Sequence, residues 1–121
     1  MNIKPLNRDF TVCKLTGYSQ VNLSAEFCFK GRTDEENSLV CLTENTPDNT
    51  IEREDGWRAF RIEGVLDFSL IGILAKIAVL LADEKIGIFV VSTFNTDYVL
   101  VKKENEQRAL DRLKQEGYTV I

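Results

Sequence analysis

Apolar residues recur at helical spacing in two stretches of this chain and at alternate positions in several others. Leu70, Ile73, Leu74, Ile77, Leu80 and Leu81 share one face, which predicts a helix over 69–84 with Ser69 as its N-cap and Gly72 as its weakest position. Ala109, Leu110 and Leu113 form a second such face. They predict a helix over 104–116, with acids early, Lys114 late and Gly117 as the stop. Between the helices, IGIFVVST and TDYVLVK are rich in β-branched and aromatic residues. They predict strands over 86–93 and 96–102 that pair as an antiparallel hairpin around Asn95. A strand over 57–63 before the first helix and another over 118–121 after the second complete the order β-α-β-β-α-β, which is ferredoxin-like.

The N-terminal half repeats this order in reduced form. NSLVCLTEN from Asn37 aligns with DYVLVKKEN from Asp97 at an offset of 60 residues, which also sets Phe29 on Phe89 and Thr33 on Thr93. TVCKLTG, ending at Gly17, aligns with RAFRIEG, ending at Gly64, at an offset of 47. The missing 13 residues fall where the apolar helix lies in the second copy, so residues 22–25 hold one helical turn at most. Pro47 and the surrounding Asp and Asn residues make 43–55 a connector. About seven strands are expected where two complete units need eight, so the halves share or omit one. The expectation is an α+β fold of two side-by-side ferredoxin-like units, with antiparallel sheets and helices on one face. The degenerate unit spans 1–56 and the complete one 57–121.

Composition narrows the function. The 121 residues are 44% apolar and 28% charged, with a net charge of −4. An ordered globular chain follows, without the clustered Lys and Arg that phosphate backbones leave as their footprint, so no nucleic-acid partner is expected. The longest apolar run, 70–82, is 13 residues long and contains Lys76, short of the roughly 20 needed to cross a bilayer. The opening MNIKPLNRDF lacks the apolar stretch of a secretory signal. No membrane association and a cytoplasmic location are expected. Cys13, Cys28 and Cys41 form no CxxC pair and sit in apolar segments, as buried structural thiols do. With no histidine in the chain, Cys-His nucleophiles, Ser-His-Asp triads and His-containing metal sites are excluded. No cofactor and no catalytic residue are expected.

The segment GVLDFS before the apolar helix carries the candidate binding chemistry. Backbone N–H groups at a helix start attract a carboxylate, and the amides of Ser69 and Leu70 lie there. An ammonium group needs an acidic partner, which Asp67 or Asp97 can supply. Each feature also has a structural reading. Asp67-Phe68-Ser69 is common capping sequence, Ser92 to Thr96 suits turn chemistry, and Trp57 suits a packing anchor.

At these residues the chain resembles the ACT domain family of amino-acid-binding regulatory modules. The likeness is to the small tandem-ACT proteins related to the aspartate kinase regulatory region and to cytosolic arginine sensors. The matching segments are GWRAFRIEG, LDFSLIGILAKIAVLLADEKIGIFVVST and NTDYVLVKKEN. The resemblance covers 57–116 strongly and 10–45 more weakly. It implies βαββαβ units packed side by side, with a free amino acid held between two of them and no catalysis. Carried over by position, Val65, Leu66, Asp67, Phe68, Ser69 and Leu70, with Gly72, touch the ligand's main-chain groups. Ile88, Thr93, Asn95, Thr96 and Asp97 line the facing strands. The first copy lacks its helix and has Arg32 and Asn37 where the second has Ser92 and Asp97, which favours one site per chain. The other function class is a ligand-independent module that joins two copies of the chain, or the chain and an unidentified protein partner, through its apolar helix and sheet edges. An enzyme would need a carboxylate pair such as Glu63 and Asp67.

Overall fold

In a computed structural model, which describes residues 1–63 and 72–121, the chain is α+β. Its strands are β1 (Asn2–Leu15), β2 (Phe29–Arg32), β3 (Asn37–Leu42), β4 (Thr50–Glu63), β5 (Phe89–Ser92), β6 (Asp97–Lys102) and β7 (Thr119–Val120). The described helices are α1 (Ile73–Asp83) and α2 (Glu106–Gln115). Two compact units divide the chain, one of Met1–Asn7 with Arg58–Ile121 and one of Arg8–Trp57. The fourteen-residue strands β1 and β4 contribute to both.

In the unit of Arg8–Trp57 the strand order is β2-β3-β1-β4. Antiparallel pairing of β1 with β3 sets Phe10 opposite Leu42 and Cys13 opposite Leu39. Alternate residues then reach one face, where Cys13, Leu15, Leu39 and Cys41 are buried. Tyr18, Val21 and Cys28 pack against them from residues 16–28. That segment forms hydrogen-bonded turns, with Val21 N–H on the Tyr18 carbonyl and Ala25 N–H on that of Asn22, both at 3.1 Å. Residues 22–25 form this turn and no helix, within the expected limit of one helical turn.

In the other unit the order runs β7, β1, β4, β6, β5. Ile77, Leu80 and Leu81 of α1 and Ala109, Leu110 and Leu113 of α2 are buried with Phe60, Ile62, Val99 and Val101, as their helical and alternating spacing requires. The two-residue strand β7 runs parallel to the start of β1. It is held there by Thr119 N–H on the Met1 carbonyl and Ile121 N–H on that of Ile3.

The offset of 60 reappears in the geometry. β2 and β5, β3 and β6, and the single 3-10 turns Thr43–Asn45 and Lys103–Asn105 all have bounds 60 residues apart. Phe29 pairs with Val40 as Phe89 pairs with Leu100, and Arg32 with Asn37 as Ser92 with Asp97.

Several elements depart from expectation. Residues 50–55, expected to lie in a connector, belong to β4. Their polar sequence TIERED hides a strand whose side chains are mostly exposed, so neither face needs to be apolar. The N-terminal segment, given no element, begins β1 at Asn2. β5 is shorter than the predicted strand over 86–93, because Ile86 closes the end of α1 instead. The predicted helix start at Ser69 lies outside the described residues.

Candidate functional site

The first described residue of the helical segment is Gly72, at φ +85° and exposed. Its carbonyl accepts the first intrahelical bond, from Lys76 N–H at 2.9 Å. Glycine has no side chain to cap the next N–H groups, and among the described residues no side chain caps α1.

α2 ends beside it. Glu106 in the first turn and Arg112 and Lys114 in the last suit its dipole. Gly117 at φ +95° ends the helix, with Tyr118 N–H on the Leu113 carbonyl at 3.1 Å. Between the two helix ends lies an open cleft of about 320 Å³. Gly72, Ile73 and Lys76 line one side, and Glu116, Gly117 and Tyr118 the other, with Met1 completing the lining. The Lys76 ammonium sits 5.9 Å from the Tyr118 ring centroid, within cation–π range. Burial, and secondarily Glu116, pushes the Tyr118 hydroxyl above its usual pKa. Glu116 accepts from Arg112 at 3.3 Å, but the same guanidinium also binds Glu84 at 3.0 Å and approaches Asp83 at 3.9 Å.

The hairpin residues predicted for ligand contact occupy a different place. Thr93 N–H donates to the Thr96 carbonyl at 2.8 Å and its hydroxyl to the same oxygen at 3.1 Å. Asp97 pairs with Ser92 across the hairpin. Thr93 and Asn95 are exposed, and Thr96 and Asp97 half-buried. Phe94, at the tip, is 89% exposed. Ile88 is half-buried against the core of its unit. The structure thus brings Thr93, Asn95, Thr96 and Asp97 into one turn, and sets Gly72 on the cleft. Val65, Leu66, Asp67, Phe68, Ser69 and Leu70 lie outside the described residues. Lys76, Glu116, Tyr118 and Met1 were not singled out from sequence, since they converge from three separated segments. Lys76, a cation interrupting an apolar run, was the one visible sign.

Among the described residues no group of three His, Cys, Asp or Glu is placed to hold a metal ion, and no helix is long and apolar enough to cross a membrane. The Cys13 thiol is pushed up to about 11, chiefly by burial, and burial also raises Cys28 and Cys41. All three are protonated at neutral pH, which suits packing and not nucleophilic attack.

A sequence profile described as ACT domain matches residues 52–115. No curated protein matches the chain. Among solved structures, a protein from Agobacterium tumefaciens is 30% identical over 99% of this chain and 91% of its own, with a TM-score of 0.87. The ligand-free regulatory subunit of aspartate kinase from Thermus thermophilus is 10% identical over 93% of this chain and 95% of its own, at a TM-score of 0.64. E. coli aspartokinase III, in complex with aspartate and ADP, is 13% identical over 93% of this chain and 32% of its own, at 0.63. At such identities the two kinases share this chain's fold, and the likeness goes no further.

Proposed function

This chain belongs to the ACT domain family, and from that premise we infer that it is a non-catalytic regulatory module that binds a free amino acid and relays its occupancy to a partner. The observation that carries this reading is the ACT match over 52–115 on a fold shared with the regulatory subunit of an aspartate kinase. In this reading the chain is a tandem pair, a degenerate copy over 1–56 and a complete one over 57–121. The common offset of the two hairpins supports a duplication. The strands that the halves share are then β1 and β4, each of which contributes residues to both units.

The ligand would lie where two ACT units meet. Val65, Leu66, Asp67, Phe68, Ser69, Leu70 and Gly72 would hold its main-chain groups, with Ile88, Thr93, Asn95, Thr96 and Asp97 on the facing strands. Asp67 and Asp97 would receive the ammonium group. A cytoplasmic location and association as a homodimer belong to the same reading.

A thermal-shift panel of the twenty amino acids tests it, with aspartate and arginine included on account of the aspartokinase fold and the resemblance to arginine sensors. Ligand at ~100 times Kd stabilises by about 2.7 kcal/mol, a rise in Tm on the order of 10 °C. The rise should shrink in Asp67→Ala and Asp97→Ala. If no amino acid moves the wild type, the sensor reading fails.

The second reading is a ligand-independent dimerisation or protein-interaction module. Exposed Phe94 and the 60% exposed Val79 on α1 favour it. Light scattering across a dilution series separates the two, because only a sensor's association or stability responds to amino acids.

A further inference from the structure

We propose that Cys28 and Cys41 are a redox-active pair, closed into a cross-strand disulfide by a low-molecular-weight disulfide such as oxidised glutathione and reopened by free thiol. The pair lies within the unit of Arg8–Trp57. It neither needs nor excludes an amino-acid ligand elsewhere in the chain.

The three cysteines of the chain are separated in sequence, yet folding gathers all of them. Cys13 of β1 and Cys41 of β3 are buried in one cluster, and Cys28, from just before β2, packs against it. Register then singles out one pair. β2 and β3 are antiparallel, with Phe29 opposite Val40 and Lys30 opposite Leu39, so one step further along the ladder sets Cys28 opposite Cys41. Thr33 N–H bonds the Glu36 carbonyl at 3.0 Å, which marks that pair as hydrogen-bonded. Alternation along the hairpin makes Cys28 and Cys41 a non-hydrogen-bonded pair. Such pairs bring their Cα atoms to about 4.5 Å, within the range of roughly 4.4–6.8 Å that a disulfide spans. Cys13 faces Leu39 instead, and its thiol donates to the Leu39 carbonyl at 3.5 Å. It stands diagonal to Cys41, and diagonal positions lie about 7–8 Å apart, too far to bridge without backbone movement. At the offset of 60 the second copy holds Ile88 and Val101 in place of Cys28 and Cys41. The hairpin therefore needs no thiol at either position in order to pack.

Exposure sets the order of events. Cys28 is half-buried and meets the oxidant, whereas Cys41 is buried. The Cys28 thiolate attacks one sulfur of the oxidant, whose S–S bond breaks and releases the first thiolate. The Cys41 thiolate then attacks the Cys28 sulfur, breaking the mixed disulfide and releasing the second. Two electrons pass from the cysteine pair to the oxidant, and the two cysteine protons end on the two released thiols. The Thr46 hydroxyl lies 3.6 Å from the Cys41 sulfur, where it can donate to the thiolate that the second step requires. Burial raises the Cys28 pKa, so the first step is slow at neutral pH and quickens as pH rises.

The test is to hold the full reduced chain in native buffer with oxidised glutathione across a pH series, block free thiols, and follow intact mass and digested peptides. The monomer should lose the mass of two hydrogen atoms, faster at higher pH, with the peptides of Cys28 and Cys41 joined and Cys13 free. Dithiothreitol should restore the starting mass. Cys13→Ala should still close the bridge, and Cys28→Ser should abolish it. The oxidised chain should unfold at a higher urea midpoint than the reduced one, a gap absent in Cys28→Ser. The wild-type peptide map decides the matter even where a variant folds poorly. The proposal is overturned if the native chain stops at a glutathione adduct on Cys28, if the bridge includes Cys13, or if it forms only in urea.

Discussion

Lys85 and Gly117 occupy the same position at the ends of their two helices. Both have left-handed backbones, at φ +58° and +95°. In each case the residue's N–H returns to the carbonyl three positions back, Ala82 at 2.9 Å and Lys114 at 3.0 Å. The next N–H reaches back five positions, Ile86 to Leu81 and Tyr118 to Leu113. These are paired Schellman endings, one built on glycine and one on a residue that pays a steric penalty for the conformation. Lys85→Gly should therefore raise stability by about 0.5–1 kcal/mol and Gly117→Ala lower it by about 1 kcal/mol. A Cβ at Gly117 meets nothing within 4 Å, so the loss is conformational. Urea denaturation of the two variants, compared at equal m-value, checks both signs.

Arg112 links the two helices through Glu84, the C-cap residue of α1, at 3.0 Å. Its bond to Glu84 and its place beside Glu116 hold the guanidinium above its usual pKa. Arg112→Met should lower Tm by a few degrees at low salt, and Arg112→Lys by less, because a point charge loses the forked geometry. Added salt should narrow the gap to wild type. A gap that stays constant from low to high ionic strength would show that packing, and not charge, is what the variant removes.

How much was legible in advance depended on whether an element's own residues dictate it. The two hairpins were readable because Leu39 and Val99, or Cys41 and Val101, alternate in the same register. The helices were readable because Ile77, Leu81, Ala109 and Leu113 repeat at helical spacing. Residues 50–55 were not, since Glu52 and Glu54 are exposed and strand formation there comes from partners distant in sequence. The same holds for β7, two residues paired with the chain's other end. In the candidate site, Gly72 and the Thr93–Thr96 turn are local features. The cleft is assembled by topology, and no window of sequence contains Met1, Lys76 and Glu116 together.

Leu81 is fully buried in the core beneath the helices, whereas Phe94 is 89% exposed. Leu81→Ala should cost roughly 3 kcal/mol, through lost transfer energy and the cavity left behind. Phe94→Ser should change stability by less than about 0.5 kcal/mol. Chemical denaturation of both variants in the same buffer gives the comparison. A large loss at Phe94 would mean that the monomer is not the folded species measured.

Thr11 is the buried polar residue of its unit, at 0% exposure. Its hydroxyl lies 2.6 Å from the Asp55 carboxylate, to which it donates, and 2.9 Å from the Thr43 hydroxyl, which must then be the donor to Thr11. Asp55 also accepts from Arg53 at 2.9 Å. Thr11→Val keeps the shape and removes both bonds, an expected loss of about 1–2 kcal/mol. Thr43→Val removes one bond and should cost less. The double variant should fall short of the sum, because the two hydroxyls serve each other. Strict additivity in the double-mutant cycle would contradict the network.

Cys13 sets a pH dependence whose direction follows from its burial. Its folded pKa is pushed up to about 11 from 9.0, first by desolvation and then by Cys41. Between those values the folded state binds the proton more tightly than the unfolded chain, so stability falls as pH rises. The contribution is fully present below pH 9.0 and is lost on the way to about pH 11. Cys13→Ala removes this component, so the decline in its urea midpoint across that window should be shallower than in wild type. Thiol labelling reports the same burial independently. Cys28, half-buried, should react first, while Cys13 and Cys41, both buried, should react only as the unit opens, at a rate that rises with added urea.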